Sequence, residues 1–287
     1  MSTSSTSRPA AESGTFTIGD RTVNRLGYGT MQLPGPGVWG PTRDHDESIR
    51  VLRRTVELGV TLIDTADSYG PHVADDLLRE ALHPYPEDLV IATKAGLTRS
   101  GPSRWASNGH PEHLRASCED SLQRLGLDTI HLFQLHRIDP SVPADEQFGT
   151  LKQLRDEGKI QHVGLSEVSI EEIEAARRVV PIVTVQNLYN LVDRQSEDVL
   201  DYCEREGIGF IPWFPIASGR LAEDGGVAAE IAASKDATAA QIALAWLLGR
   251  SPVILPIPGT SKVAHLEQNC AAAQVELTQA EIDSLTG

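Results

Sequence analysis

Residues 60–70 read V-T-L-I-D-T-A-D-S-Y-G. An apolar run of strand type stops abruptly at Asp64, and a polar turn then brings Tyr69 and Gly70 before a helical pattern begins at Val73. Asp is rarely buried without a partner, so a buried strand that stops at a carboxylate demands a nearby cation. The alternative is that Asp64 caps a turn and Tyr69 packs on the surface, because polar residues favour such turns. The stretch alone leaves both open, and the chain around it decides.

Working outward, Ile49, Leu52 and Val56 recur at helical spacing over 46–58, and Gly59 supplies a stop. Beyond the turn, the pattern predicts a helix at 73–82, a strand at 88–94 ending in Lys94, and a long loop at 95–110 holding Trp105. A helix at 111–125 and a strand at 129–135 that ends in His136 follow. Phe148, Leu151 and Leu154 mark a helix stopped by Gly158, before a strand at 160–165 that ends in Ser166. Ser169 and Glu172 form a capping box for the next helix. Strand 182–185 ends in Gln186, a helix runs to Glu206, and strand 208–211 leads to Trp213. Thr238 opens a helix, 253–257 is the last strand, another helix starts at Ser261, and Thr278 caps a terminal one.

With the strand that starts at Leu26, this makes eight strand-then-helix units without a break in composition. Strict alternation implies an α/β fold with a parallel sheet and helices outside. Eight units in this length imply a closed (β/α)8 TIM barrel rather than an open sheet. Residues 15–287 form one domain, residues 16–26 a short N-terminal β-hairpin turning at Gly19-Asp20 and plugging one end, and residues 1–14 a disordered tail. A literal G-x-G-x-x-G at 35–40 is no dinucleotide fingerprint, since it contains Pro36 and opens no helix.

Composition narrows the function. The 287 residues are 40% hydrophobic and 23% charged, ordinary for a globular chain. A net charge of -15 argues against nucleic acid or an anionic membrane surface as partner. No apolar run of signal-peptide or membrane-spanning type occurs, so the expected location is cytoplasmic and the expected state a monomer or weak homo-oligomer. Cys118, Cys203 and Cys270 are far apart and suit a reducing compartment. Neither H-E-x-x-H nor G-x-S-x-G is present, so no metal site or serine hydrolase is expected.

In such barrels, functional side chains stand at the C-terminal ends of strands. Asp64, Lys94 and His136 end successive strands there, with Tyr69 just beyond the first. Asp64 would hold Lys94 charged, and that ammonium would lower the pKa of the Tyr69 phenol. Tyr69 would then protonate a carbonyl oxygen as hydride reaches its carbon, with His136 holding the oxygen.

I-D-T-A-D-S-Y-G at 63–70, T-K at 93–94, L-H-R at 135–137, G-L-S at 164–166, Q-N-L-Y-N at 186–190 and I-P-G-T-S at 257–261 together resemble the aldo-keto reductase family, over residues 16–285. The resemblance implies an NADPH-dependent enzyme, with NADH as the lesser cofactor, acting on a small-molecule carbonyl substrate. It implies Asp64, Tyr69, Lys94 and His136 as catalytic tetrad. It also implies Gly29, Thr30, Met31 and Asp64 near the nicotinamide ribose, Ser166 and Gln186 on the carboxamide, and Trp213 stacked on the ring. Phe214, Ser218, Gly219 and Leu221 would wrap the pyrophosphate, while Gly259, Ser261, Lys262 and His265 would line the adenosine phosphate and Gln268 and Asn269 the adenine. A helix opening at Ser261 would favour an anion at its N-terminus.

Three positions depart from the family pattern. Glu167 stands where Asn is usual, Trp213 where the ring-stacking aromatic is commonly Tyr, and His265 where many members place Arg. M-Q-L-P-G-P-G-V-W-G at 31–40 and Y-G-P-H at 69–72 look like the bacterial branch that includes pyridoxal reductases. That branch implies pyridoxal, reduced to pyridoxine, with Trp39, Trp105 and Arg137 as substrate wall. The competing expectations are a non-catalytic NADPH-binding sensor and a general detoxifying aldehyde reductase.

Overall fold

The computed structural model describes residues 7–216 and 226–286. Strands β1 (Thr15–Ile18) and β2 (Arg21–Asn24) form the expected antiparallel hairpin. After it, β3 (Tyr28–Gly29), α1 (His45–Glu57), β4 (Leu62–Asp64), α2 (Val73–Leu82) and β5 (Val90–Ala95) open the alternation. A second hairpin, β6 (Leu97–Gly101) and β7 (Arg104–Ser107), precedes α3 (Pro111–Leu125) and β8 (Ile130–Leu135). Next come α4 (Ala144–Asp156), β9 (Ile160–Ser166), α5 (Ile170–Arg177), β10 (Ile182–Gln186), α6 (Glu197–Glu206) and β11 (Gly209–Phe210). The described chain ends with α7 (Val227–Ser234), α8 (Ala239–Arg250), α9 (Val263–Ala271) and α10 (Gln279–Thr286).

Local chemistry sets these boundaries. The Asp44 carboxylate accepts from Glu47 N at the start of α1, and capping boxes built on Ser169 and Thr238 open α5 and α8. Gly126 and Gly207 take left-handed conformations just past α3 and α6. The helices bury their apolar faces on the sheet, so Leu52, Leu78, Leu114, Phe148, Leu200 and Leu244 are all fully covered. No helix among the described residues is long and apolar enough to cross a membrane.

The sheet runs β3-β4-β5-β8-β9-β10-β11, with every neighbouring pair parallel. Residues 253–259 are the eighth stave and close the barrel. Phe210 N donates to Val253 O and Leu255 N to Phe210 O, both at 2.8 Å, while Gly27 N donates to Pro256 O at 2.9 Å on the other side. Pro256 and Pro258 have no amide hydrogen, which reduces this stave to a few bonds on each flank. Gly29 and Gly259 pair directly across the seam. The hairpin plugs the lower end: Ile18 and Val23 pack with Leu62, Val90, Leu132, Ile211 and Leu255.

Three expectations need correction, and one helix is new. Residues 9–13, expected within a disordered tail, form a short 3-10 helix begun by Pro9, with Ala10 N bonded to Leu58 O and Ser13 Oγ accepting from Leu26 N. Residues 1–6 of that tail lie outside the described residues. The loop at 95–110 contains the β6–β7 hairpin, whose turn uses Ser103 at a positive φ of 54°. Helix α7 has no counterpart in the sequence reading, and α9 begins at Val263 rather than Ser261.

The seam depends on two missing Cβ atoms. A Cβ at Gly259 would stand 2.7 Å from Gly29 O, and one at Gly29 would stand 2.8 Å from Ile257 O. Gly259→Ala is therefore expected to destabilise the fold by about 1–3 kcal/mol in urea denaturation. Gly149→Ala, on α4 with open space around it, is expected to be neutral or slightly stabilising. Equal midpoints for the two variants would contradict the seam account.

Candidate active site

Alternate strand residues face the barrel axis. In register, Leu62 and Asp64 of β4, Ala92 and Lys94 of β5, Leu132 and Gln134 of β8, and Ser166 and Gln186 of β9 and β10 share one layer system. The lower positions are apolar and the upper ones polar, which places the chemistry at the C-terminal mouth. Lys94 Nζ donates to Asp64 Oδ1 at 2.5 Å, to Thr65 O at 2.9 Å and to the Tyr69 hydroxyl at 3.3 Å. The other Asp64 oxygen accepts from Gln134 Nε2 and Gln186 Nε2, each at 2.9 Å. Gln134 escapes a reading based on strand ends because it lies one residue inside the apolar strand. Its period-two spacing from Leu132 is the signal that would have found it.

Burial dominates the electrostatics. It raises the Tyr69 phenol above the ordinary tyrosine range, with Lys94 pulling down and Asp64 pushing up. This corrects the expected direction: Lys94 opposes the shift but does not reverse it, because the ring is almost wholly removed from water. Burial also works against the Lys94 ammonium, yet Asp64 and Tyr69 outweigh it and hold the group above its usual value. Burial, then the charges of Lys94, Arg137 and Arg99, hold the His136 imidazole well below its usual value, so it is neutral near pH 7. His136 Nδ1 lies 3.5 Å from Ser68 Oγ, and the imidazole meets Tyr69 edge-on with centroids 6.1 Å apart.

Above this set lies a cavity of about 450 Å³ lined by Met31, Tyr69, Leu97, Trp105, His136, Arg137, Ser166, Gln186 and Trp213, among others. Trp105 stands edge-on to Tyr69 at 6.4 Å. Arg99 holds this wall: its guanidinium lies 3.5 Å from the Trp105 ring centroid and donates to Gly37 O, Val38 O and Ser68 O. Trp39, expected in the wall, does not line the cavity; it sits against the same guanidinium at 5.6 Å. Arg137 bonds His136 O at 2.6 Å and Ser166 Oγ at 3.0 Å through Nη1. Among the described residues it has no carboxylate partner within 4 Å and no bond from Nε or Nη2.

A second cavity of about 250 Å³ adjoins the first, sharing Met31, Tyr69, Gln186 and Trp213 with it and adding Gly29, Asp64, Phe214, Ile257 and Gly259. Met31 and Phe214 are 42% and 39% exposed there, unusual for large apolar side chains. An open apolar slot with an uncommitted Gln186 carbonyl oxygen, beside a cavity that carries the Ser166 hydroxyl, fits a flat, amide-bearing ring. Thr30 is buried, donates its hydroxyl to Thr65 and does not line this slot. Ser261 and Lys262 line a third cavity that meets the slot at Met31 and Gln32. The first amide of α9, Val263 N, already donates to Glu47 at 3.1 Å, so an acid occupies the helix start where an anion is expected. His265 and Gln268 are exposed and Asn269 buried along α9. Ser218, Gly219 and Leu221 lie outside the described residues.

Comparison with known proteins agrees with this geometry. The sequence pattern described as the Aldo/keto reductase family matches residues 25–287. An uncharacterized oxidoreductase of Schizosaccharomyces pombe is 51% identical over 269 residues, covering 94% of this chain and 88% of that protein. Pyridoxine 4-dehydrogenase of Escherichia coli is 43% identical over 281 residues, covering 96% and 98%. A crystal structure of an aldo/keto reductase from Klebsiella pneumoniae with NADP and acetate superposes with a TM-score of 0.79 at 26% identity, covering 94% and 93%.

Behind the turn lie two buried acids that no sequence reading singled out. Asp75 accepts from the Thr65 hydroxyl at 2.8 Å, while Asp75 Oδ2 and Asp67 Oδ1 have no partner. Burial pushes both carboxyls up to about 7. In the folded state they keep protons that the unfolded chain releases near pH 4. Stability from this source is therefore fully present below about pH 4 and lost as pH rises to about 7. Asp75→Asn, which keeps an acceptor for Thr65, is expected to raise the melting temperature at pH 8 by several degrees more than at pH 5. Calorimetric scans that show equal gains at both pH values would contradict these shifts.

Proposed function

This chain belongs to the aldo/keto reductase family, and from that premise we propose that it reduces pyridoxal to pyridoxine with Tyr69 as proton donor. It is an NAD(P)H-dependent carbonyl oxidoreductase whose cofactor is NADPH. When bound, NADPH supplies the hydride that goes to the carbonyl carbon. Trp213 and the slot beside it would hold the nicotinamide, with Ser166 and Gln186 toward its carboxamide and Lys262 toward the adenosine phosphate.

The observation that carries the reading is the buried run Asp64, Lys94, Tyr69, which opens on one side into the cavity shared with His136. The raised pKa of Tyr69 keeps its proton in place at neutral pH. As that proton passes to the carbonyl oxygen, Lys94 offsets the phenolate charge left behind, and Asp64 keeps Lys94 charged and aimed. His136, neutral, donates a hydrogen bond to the same oxygen from Nε2 and takes no proton from it. Solvent at the mouth then reprotonates Tyr69.

Two observations favour pyridoxal. A relative at 43% identity is named pyridoxine 4-dehydrogenase. Arg137 adds an argument from charge: a half-buried guanidinium with unspent donors, close to Tyr69 and His136, suits a substrate whose aldehyde has an ionised hydroxyl on the adjacent ring carbon. Pyridoxal has that arrangement, and an Arg–oxyanion hydrogen bond is among the stronger ones.

Tyr69→Phe is expected to lower pyridoxal turnover at least about a hundredfold, while NADPH still binds with little change, as read by quenching of tryptophan fluorescence. Retained turnover would remove Tyr69 from the role of acid. Pyridoxal reduced no better than benzaldehyde, with Tyr69 still required, would leave a general aldehyde reductase and remove the substrate reading alone.

A further inference from the structure

Two departures from the family pattern, Glu167 and Trp213, are a single contact. Trp213 Nε1 donates to Glu167 Oε1 at 2.6 Å, across 46 residues of chain. The same oxygen accepts from Leu188 N at 2.7 Å. The backbone is arranged to make this possible. Glu167 holds a positive φ of 55°, costly for a side chain with a Cβ, and its N–H donates to Gln186 O. Trp213 is held from behind through Trp213 N to Asn187 O and a parallel bridge to Leu188. An indole N–H needs an acceptor when it leaves water, and Glu167 supplies it.

A carboxylate on an indole N–H does more than orient the ring. A charge-assisted bond of this length draws the N–H dipole toward the acid and leaves the ring face richer in electrons. Indole is already the strongest aromatic partner for a cation. Among the described residues no cation pairs with Glu167 within 4 Å; Arg137 feels its charge only at longer range. The oxidised nicotinamide ring is a cation and the reduced ring is not.

We propose that Glu167 is a positioning residue that acts through Trp213, fixing the indole plane and biasing the slot toward the oxidised cofactor. This rests on the reading of Trp213 as the surface that faces the nicotinamide. It assigns to Glu167 a part in the redox preference of the site, separate from the carboxamide contacts of Ser166 and Gln186.

The test is calorimetric titration of NADP+ and of NADPH into the full chain, with no turnover involved. Glu167→Gln keeps an oxygen for Leu188 N and for the indole but removes the charge. It is expected to weaken NADP+ binding roughly fivefold relative to NADPH. In a Trp213→Phe background, the same exchange is expected to leave that ratio unaltered. An unchanged ratio with Trp213 present, or an equal shift in both backgrounds, would overturn the proposal. If Trp213→Ala, which removes the ring, left both affinities untouched, the underlying placement of the nicotinamide would fall, and the proposal with it.

Discussion

The ion pair between Lys94 and Asp64 is the constraint on which the upper barrel depends. Both side chains are essentially inaccessible, at 0% and 2% exposure, and removing two charges from water costs several kcal/mol per ion unless every donor and acceptor is used. The structure meets that condition with groups from four strands. β5 supplies Lys94 and β4 Asp64, while β8 and β10 bring Gln134 and Gln186 to the second carboxylate oxygen. Closure of the barrel at Gly29 and Gly259 brings these staves round one axis. Tyr69 takes the remaining donor of Lys94, so the hydroxyl at the mouth is tied to the most costly element of the core.

Much of this was legible in the sequence because a buried parallel strand is an apolar run whose end is marked by the first polar residue. Asp64, Lys94, His136, Ser166 and Gln186 were read that way, and all five stand at the mouth. Gln134 was hidden because it interrupts an apolar run without ending it. Hairpin β6–β7 reads as loop in the sequence because its order comes from Arg99, which ties carbonyls of residues 37, 38 and 68 together. That is long-range bonding with no local period. The sequence puts the start of α9 two residues early because Ser261 has the type of a cap, whereas the amide of Val263 is met by Glu47 from α1.

The direction of the Tyr69 shift could not be read from spacing at all. Sequence shows a lysine near a tyrosine and predicts a lowered pKa, but the degree of burial decides the sign, and burial is a property of the packed mouth. The same holds for Glu167 and Trp213. Each was visible as a departure from a family pattern, and only the folded chain makes them partners. Trp105, Arg99 and Trp39 likewise form one stack, in which only Trp105 reaches the cavity.

The central claim is that the buried pair exists to let Tyr69 release a proton, beyond any part it has in stability. The most direct measurement is turnover of pyridoxal by a Lys94→Met/Asp64→Asn double variant, which removes both charges together and leaves neither one alone in the core. The account predicts a folded protein that still binds NADPH and turns over at least about a hundredfold more slowly. A folded double variant with turnover near that of the parent chain would contradict it.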